Sequence, residues 1–328
     1  DVLNRTSFSY SHACGLADTG RVYCWGDNYY GRTGIGLDSN DADTGSPTYA
    51  NTNGIAVDIT TGGSHSCALM INNQISCWGI SGRNGLNNNQ DTNVPTNITI
   101  MPLGKNATAI SGGWEYTCAI LNDDSVFCWG YGTSAGNLAR TYGKSVGFGN
   151  RTPISISAGH SMVCVLLDNY SVNCWGNNYF GQLGTNSTVD NYNPTYVDLG
   201  IGRTAKSIQV GSYHACAILD DDSLKCWGRN DNGQLGTGDD AERHTPWLIG
   251  TFTGKRVAMV ACGFYHTIVL TGDLINRENF EGSAGNNSST SSAKNGMSLF
   301  KKGNSMPSSA QGLLQLPQYK LPDLKSKD

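Results

Sequence analysis

Apolar and polar positions in this chain come in short bursts bounded by glycine, and the bursts recur. In His214-Ala-Cys-Ala-Ile-Leu-Asp-Asp-Asp-Ser-Leu-Lys-Cys226 an apolar run meets an acidic turn and then a run in which apolar and polar residues alternate. Runs this short, closed by turn residues, predict two β-strands joined as a hairpin. The hairpin ends in Cys-Trp-Gly, and a Gly-Gln-Leu-Gly loop follows. That loop is intact at 181–184 and 233–236, with variants at 31–34, 82–85 and 136–139. After a polar stretch, proline opens another short strand, as in Pro47-Thr-Tyr, Pro95-Thr-Asn, Pro194-Thr-Tyr and Pro246-Trp-Leu. Proline at a strand's first residue removes no ladder hydrogen bond. A last strand, such as Ala205-Lys-Ser-Ile-Gln-Val, leads to the Gly-x-x-His, Tyr or Met that opens the next period at Gly62, Gly113, Gly159, Gly211 and Gly263. Four short strands per period predict an all-β propeller of six, or seven, four-stranded blades.

The cysteines follow the same period. Ten of the eleven form five pairs ten positions apart, and the second of each pair opens Cys-Trp-Gly. Facing residues of a hairpin lie about 4.5–5.5 Å apart at Cα, a spacing a disulfide accepts. Ten cysteines admit many connectivities, but only Cys14–Cys24, Cys67–Cys77, Cys118–Cys128, Cys164–Cys174 and Cys216–Cys226 treat all five units alike. Five such bonds imply an oxidising compartment. Asn4, Asn97, Asn106, Asn150, Asn169, Asn186, Asn286 and Asn287 each begin Asn-x-Ser/Thr and are candidates for N-linked glycans. An extracellular home, secreted or at the cell surface, is therefore expected. Cys262 aligns with Val210 on the strand before the hairpin, so a buried free thiol is expected there, with an intermolecular disulfide as the alternative.

Charge narrows the partners. The chain carries 22 basic and 26 acidic residues, net −4, which does not suit neutralisation of nucleic-acid phosphates. No apolar run approaches the 18 or so residues of a membrane span. The start at Asp1, with neither methionine nor signal peptide, suits a processed secreted chain and a trimmed one equally.

Gly-x-x-His, the aliphatic strand with its Asp/Gly turn, Trp-Gly and Gly-Gln-Leu-Gly together resemble the regulator-of-chromosome-condensation repeat, a β-propeller usually of seven blades. The likeness covers residues 1 to about 278. The Cys-to-Cys-Trp-Gly decoration resembles the secreted branch, which includes ectodomains of crinkly-type plant receptor kinases. The resemblance implies that the motif histidine buttresses its own blade through hydrogen bonds. It does not select a function, because the fold hosts exchange factors, inhibitors and adhesive ectodomains alike. Six units begin near Ser9, Gly62, Gly113, Gly159, Gly211 and Gly263. The sixth lacks Cys-Trp-Gly and a proline strand, and the third is compressed, with Pro153 only six residues before Gly159.

Three segments are expected: a propeller over 1–280, a flexible Ser/Asn/Lys-rich linker over 281–310 and a C-terminal tail over 311–328. From residue 281 onward six lysines face three acids, +3, leaving −7 on the propeller. Pro317-Gln-Tyr-Lys-Leu321 resembles the proline strands, so Leu316, Pro317, Tyr319 and Leu321 are candidate anchors of an added strand, closing the sixth blade or a neighbour's. His-x-Cys at 12, 65 and 214 invites a zinc reading, and Asp220 to Asp222 with Asp239 and Asp240 a calcium reading. Both are weaker than disulfides and turn chemistry. One tryptophan per unit, at 25, 78, 129, 175 and 227, fits packing between blades better than a sugar platform. No nucleophile elbow or Walker loop occurs, so no enzyme, cofactor or metal is expected. The favoured function is a secreted structural or adhesive glycoprotein acting through protein contacts, including head-to-tail self-assembly through the tail. The alternative is a ligand-binding ectodomain or inhibitor using one propeller rim, which an exposed aromatic cluster on that rim would signal. A nucleotide-exchange factor comes last.

Overall fold

The structure, a computed structural model, describes residues 2–9, 11–37, 43–86, 90–131, 144–250 and 255–273. Blade I holds β1 (Leu3–Phe8), β2 (His12–Ala17), β3 (Val22–Gly26) and β4 (Thr44–Ala50). Blade II holds β5 (Ala56–Thr61), β6 (His65–Met70), β7 (Ile75–Gly79) and β8 (Thr92–Asn97). Blade III holds β9 (Ala107–Gly112), β10 (Tyr116–Leu121), β11 (Val126–Gly130) and β12 (Lys144–Val146). Blade IV holds β13 (Pro153–Ala158), β14 (Met162–Leu167), β15 (Val172–Gly176) and β16 (Asn191–Val197). Blade V holds β17 (Ala205–Val210), β18 (His214–Leu219), β19 (Leu224–Gly228) and β20 (Arg243–Leu248), and blade VI holds β21 (Lys255–Cys262) and β22 (Thr267–Asp273). Strands within each sheet pair antiparallel in chain order, and the first strands of successive blades lie side by side around the axis. The propeller is therefore as the repeat predicts, with a two-stranded sixth blade among the described residues.

Two details of the reading change. The strand before each Gly-x-x-His pairs with the hairpin after it, as β5 does with β6, so a blade starts one strand earlier than the sequence unit. Pro153 opens β13, the inner strand of blade IV, and not the outer strand of blade III. Blade III closes with the proline-free β12 instead, so the compression at Pro153 came from assigning that proline to the wrong strand.

Each core lies between two blades. Cys14, Leu16, Val22 and Ala50 of blade I meet Ala68, Met70 and Trp78 of blade II, while Cys67, Leu69 and Ile75 on the other side of blade II meet Ala119, Leu121 and Trp129 of blade III. The second strand is thus covered on both faces, which is why it reads as an unbroken apolar run and not as an alternation. Trp78, Trp129, Trp175 and Trp227 are fully buried. For Trp78, Trp129 and Trp227 the closing glycine of the preceding loop makes room. A Cβ on Gly34 would stand 2.6 Å from the Trp78 indole nitrogen, and one on Gly184 2.7 Å from that of Trp227, and both glycines have φ near +70°. Blade VI breaks the pattern. Ile268 and Leu270, at the positions of Cys216 and Ile218, are 63% and 58% exposed.

Candidate functional site

The hairpin turns between second and third strands share one face of the propeller with the links between blades. The Gly-x-x-His loops and the loops after Trp-Gly emerge on the opposite face. In the Gly-x-x-His loops glycine is forced, because a Cβ on Gly62 would lie 2.1 Å from His65 Cε1. The imidazoles reach the next blade through Nε2, which the family expectation did not include, while His12 alone also keeps a bond within its own blade, its Nδ1 2.7 Å from Ser9 Oγ. His12 Nε2 meets Ser66 Oγ at 2.8 Å, His65 Nε2 meets Thr117 Oγ1 at 2.7 Å and His214 Nε2 meets Thr267 Oγ1 at 2.8 Å. In blade III, Tyr116 substitutes for histidine and donates to the Met162 carbonyl of blade IV at 2.7 Å. Burial holds His12 and His65 at about 3 and His214 at about 4, so all three imidazoles are neutral at physiological pH.

In blades III to VI at least one of the two residues after the loop glycine is aromatic: Trp114, His160, Tyr213 and, in blade VI, both Phe264 and Tyr265. Trp114 stacks on His160 with ring centroids 5.3 Å apart, and His160 stacks on Tyr213 at 4.9 Å. Phe264 stands edge-on to all three, at 6.0, 6.2 and 6.0 Å. Four blades thus contribute one aromatic hub. Phe180 joins it at 5.4 Å from Tyr213, and the Arg229 guanidinium lies 4.9 Å over Phe180 and 5.6 Å over both Tyr213 and Tyr265. Around the hub, Tyr131, Tyr179 and Tyr265 are exposed.

The loops after Trp-Gly are held by a buried asparagine that the sequence reading passed over. Asn178 Oδ1 accepts the Leu183 amide at 2.9 Å while its Nδ2 donates to the carbonyls of Ser187 and Val189. Asn230 repeats this with Leu235, Asp239 and Ala241. The visible signal is Trp-Gly-x-Asn in units one, four and five. In Asn28-Tyr-Tyr-Gly and Asn178-Tyr-Phe-Gly this anchor presents the neighbouring rings outward.

Charge divides by face as well. Among the described residues the aromatic-face loops carry Asp27 and Asp43, Asp91, Glu115, Asp190, and in blade V Asp231, Asp239, Asp240 and Glu242. Against these nine stand Arg32, Arg83 and Arg229, with the strand-opening Lys144 and Arg243, leaving −4. Elsewhere among the described residues ten acids face nine bases, leaving −1. Turn-face acids are matched locally, as by Lys105–Asp123 at 2.9 Å and Lys206–Asp222 at 2.6 Å.

All five expected disulfides form, with Cα atoms 4.0–4.1 Å apart. Cys262 is a free cysteine but only half-buried as a residue, because blade VI is covered on one side. Its sulfur turns inward, 3.7 Å from the Gln209 carbonyl, and burial pushes the thiol up to about 12. Its neighbours His214 and Cys216 do not complete a metal site, since the Cys216 sulfur is bonded to Cys226. Asp220 and Asp222 pair with Arg203 and Lys206. The six described sequon asparagines are all exposed. Asn4, Asn97, Asn106, Asn150 and Asn169 lie on the turn face. Asn106 and Asn97 mark it by bonds to the turn residues Asn122 and Gln74, and Asn186 lies in a loop of the aromatic face. Asn286, Asn287, Leu316, Pro317, Tyr319, Leu321 and the linker lie outside the described residues.

Fold and faces together define a disulfide-stapled repeat propeller of the kind that mediates protein–protein contacts. The chain belongs to the RCC1-like domain family, whose model matches residues 2–290. It is 29% identical over 279 residues to the ultraviolet-B receptor UVR8 of Arabidopsis thaliana, covering 79% of this chain and 61% of the receptor, so it spans under two thirds of that relative. The fold matches human WBSCR16 with a TM-score of 0.74 and 23% identity, over 83% of this chain and 73% of that one. It matches the CRINKLY WD40 ectodomain of the Arabidopsis thaliana receptor kinase ACR4 with a TM-score of 0.50 and 21% identity, over 83% and 79%.

Proposed function

We propose that this chain is an extracellular recognition propeller whose aromatic face docks a protein partner. The carrying observation is the hub of Trp114, His160, Tyr213 and Phe264, which gathers rings from four blades at one mouth of the propeller. Half-buried rings ringed by exposed tyrosines have the composition of an interface centre and its surround. Five buried disulfides support an oxidising compartment. The likeness to a receptor-kinase ectodomain agrees with it. A photo-crosslinking residue at Tyr179, on intact cells of the native source, is expected to trap a protein that the same residue at Asn122 on the turn face does not. Equal trapping from both positions, or trapping from Asn122 alone, overturns the reading.

Glycans fit the same division of faces. Expressed through a eukaryotic secretory pathway, the chain is expected to carry N-glycans at two or more of Asn97, Asn106, Asn150 and Asn169, where they leave the aromatic face open. Peptide mapping after enzymatic deglycosylation reads each converted asparagine, and a chain unmodified at all four removes this support. Self-assembly through the tail is less well supported. In β4 and β16 the residue after the strand tyrosine is fully buried, Ala50 and Val197, and Lys320 stands at that place beside Tyr319.

A further inference from the structure

We infer that the partner segment received by the aromatic face is basic, with arginine or lysine side chains reaching the rings. This rests on the reading of that face as the docking surface and adds the chemistry of the occupant. The propeller's negative charge is not spread evenly: the described residues of the aromatic-face loops carry nine acids against five bases, −4, while the rest of the described molecule carries −1. A partner approaching this side meets an acidic field that favours cations and speeds their encounter.

The face also already holds guanidinium groups in a repeated way. Arg229 lies over Phe180, Tyr213 and Tyr265 while Asp231 accepts from its Nη2 at 2.5 Å. Arg83 lies 5.8 Å over Tyr131 with Glu115 at 2.5 Å, and Arg32 lies 6.0 Å over Tyr30 with Asp27 at 3.2 Å. Each of these guanidiniums has at least one ring face and one carboxylate, and both attractions strengthen as water is excluded. The acids outnumber the resident bases by four, so carboxylates remain for cations supplied by another chain. Asp240 and Glu242 are exposed members of that surplus, Glu242 with its Oε2 3.3 Å from His244 Nε2. An acidic partner would instead add like charge to this face, and a purely apolar one would bury these carboxylates unpaired.

The test uses the full chain and a fluorescein-labelled peptide of alternating arginine and glycine, read by fluorescence anisotropy beside its lysine and glutamate counterparts. The arginine peptide is expected to bind, the lysine peptide to bind more weakly because it lacks the planar stacking group, and the glutamate peptide not to bind. Tyr213→Ala with Phe264→Ala should weaken arginine-peptide binding at least ten-fold. Asp240→Asn with Glu242→Gln, two exposed substitutions that leave the fold intact, should weaken it several-fold at low salt and less at high salt. Asp123→Asn with Asp124→Asn on the turn face should leave it unchanged. Binding that is indifferent to both aromatic-face variants, or that is lost with the turn-face variant, overturns the inference. If Tyr179 still crosslinks a protein while no basic peptide engages the face, the basic class is wrong and the docking surface stands. If neither occurs, both readings fall.

Discussion

Lowering the pH from 7 to 5 is expected to cost the propeller about 6 kcal/mol, roughly 2 kcal/mol for each of three buried imidazoles. His12, His65 and His214 sit at about 3, 3 and 4 in the folded chain, against 6.5 when exposed. Because the folded values are depressed, the unfolded chain takes up protons first. Stability is intact above about pH 6.5 and drains away as the pH falls from 6.5 towards 4. Carboxylates act later. Asp123, held at about 2 by Lys105 and Ser125, withdraws its contribution only as the pH falls below the ordinary value of 3.8. Urea unfolding at half-unit steps between pH 7 and 4.5 therefore isolates the histidines. His65→Gln, which can still reach Thr117, should remove about a third of the slope. A stability flat across that interval would show that the imidazoles are not sealed between the blades. Since each one bridges to the next blade, acid should loosen blade-to-blade contacts before it melts a hairpin.

The parts of the fold written in periodic residues were legible, and those written in relations between blades were not. The cysteine interval and Cys-Trp-Gly follow from facing positions within one hairpin, so five copies of the same local constraint appear directly in the chain. The blade boundary is different. Whether β5 belongs with the strand before it or the hairpin after it depends on which edge it pairs with, and repeat arithmetic is indifferent to that choice. The histidines were placed correctly in their loops, yet their partners Ser66, Thr117 and Thr267 lie 52 to 54 residues on, one blade later, where no local pattern points. The aromatic hub escaped for the same reason. Trp114, His160, Tyr213 and Phe264 occupy the variable positions of Gly-x-x-His, and no two share an alignment column and a residue type. Only closure about the axis brings them together. Trp-Gly-x-Asn could have been read from units one, four and five, but unit two has its buried Asn84 later in the loop, which obscures the column.

Full reduction is expected to unfold the propeller at neutral pH. Each disulfide closes a loop of about ten residues and should contribute roughly 2.5–3 kcal/mol through the unfolded chain, so five together come to roughly 12–15 kcal/mol. Net stabilities of domains run about 5–15 kcal/mol. The contribution is needed here because each second strand is sandwiched between blades, and a hairpin that frays uncovers two cores at once. Cys67 and Cys77, for example, lie in the core shared with blade III, beside Trp129. The ten bonded cysteines are at most 2% exposed, so a reductant cannot reach the sulfurs without prior opening of a blade. Dithiothreitol alone should therefore act slowly, and moderate urea should speed it sharply, with cleavage following the opening rate. Non-reducing peptide mapping before treatment should return Cys14–Cys24, Cys67–Cys77, Cys118–Cys128, Cys164–Cys174 and Cys216–Cys226. Replacing one pair, Cys118→Ala with Cys128→Ala, should lower stability by about 3 kcal/mol and leave the other four intact. A fully reduced and alkylated chain that melted like the native one would sink this account. So would a map dominated by links between blades, since that would mean the register of every hairpin is wrong.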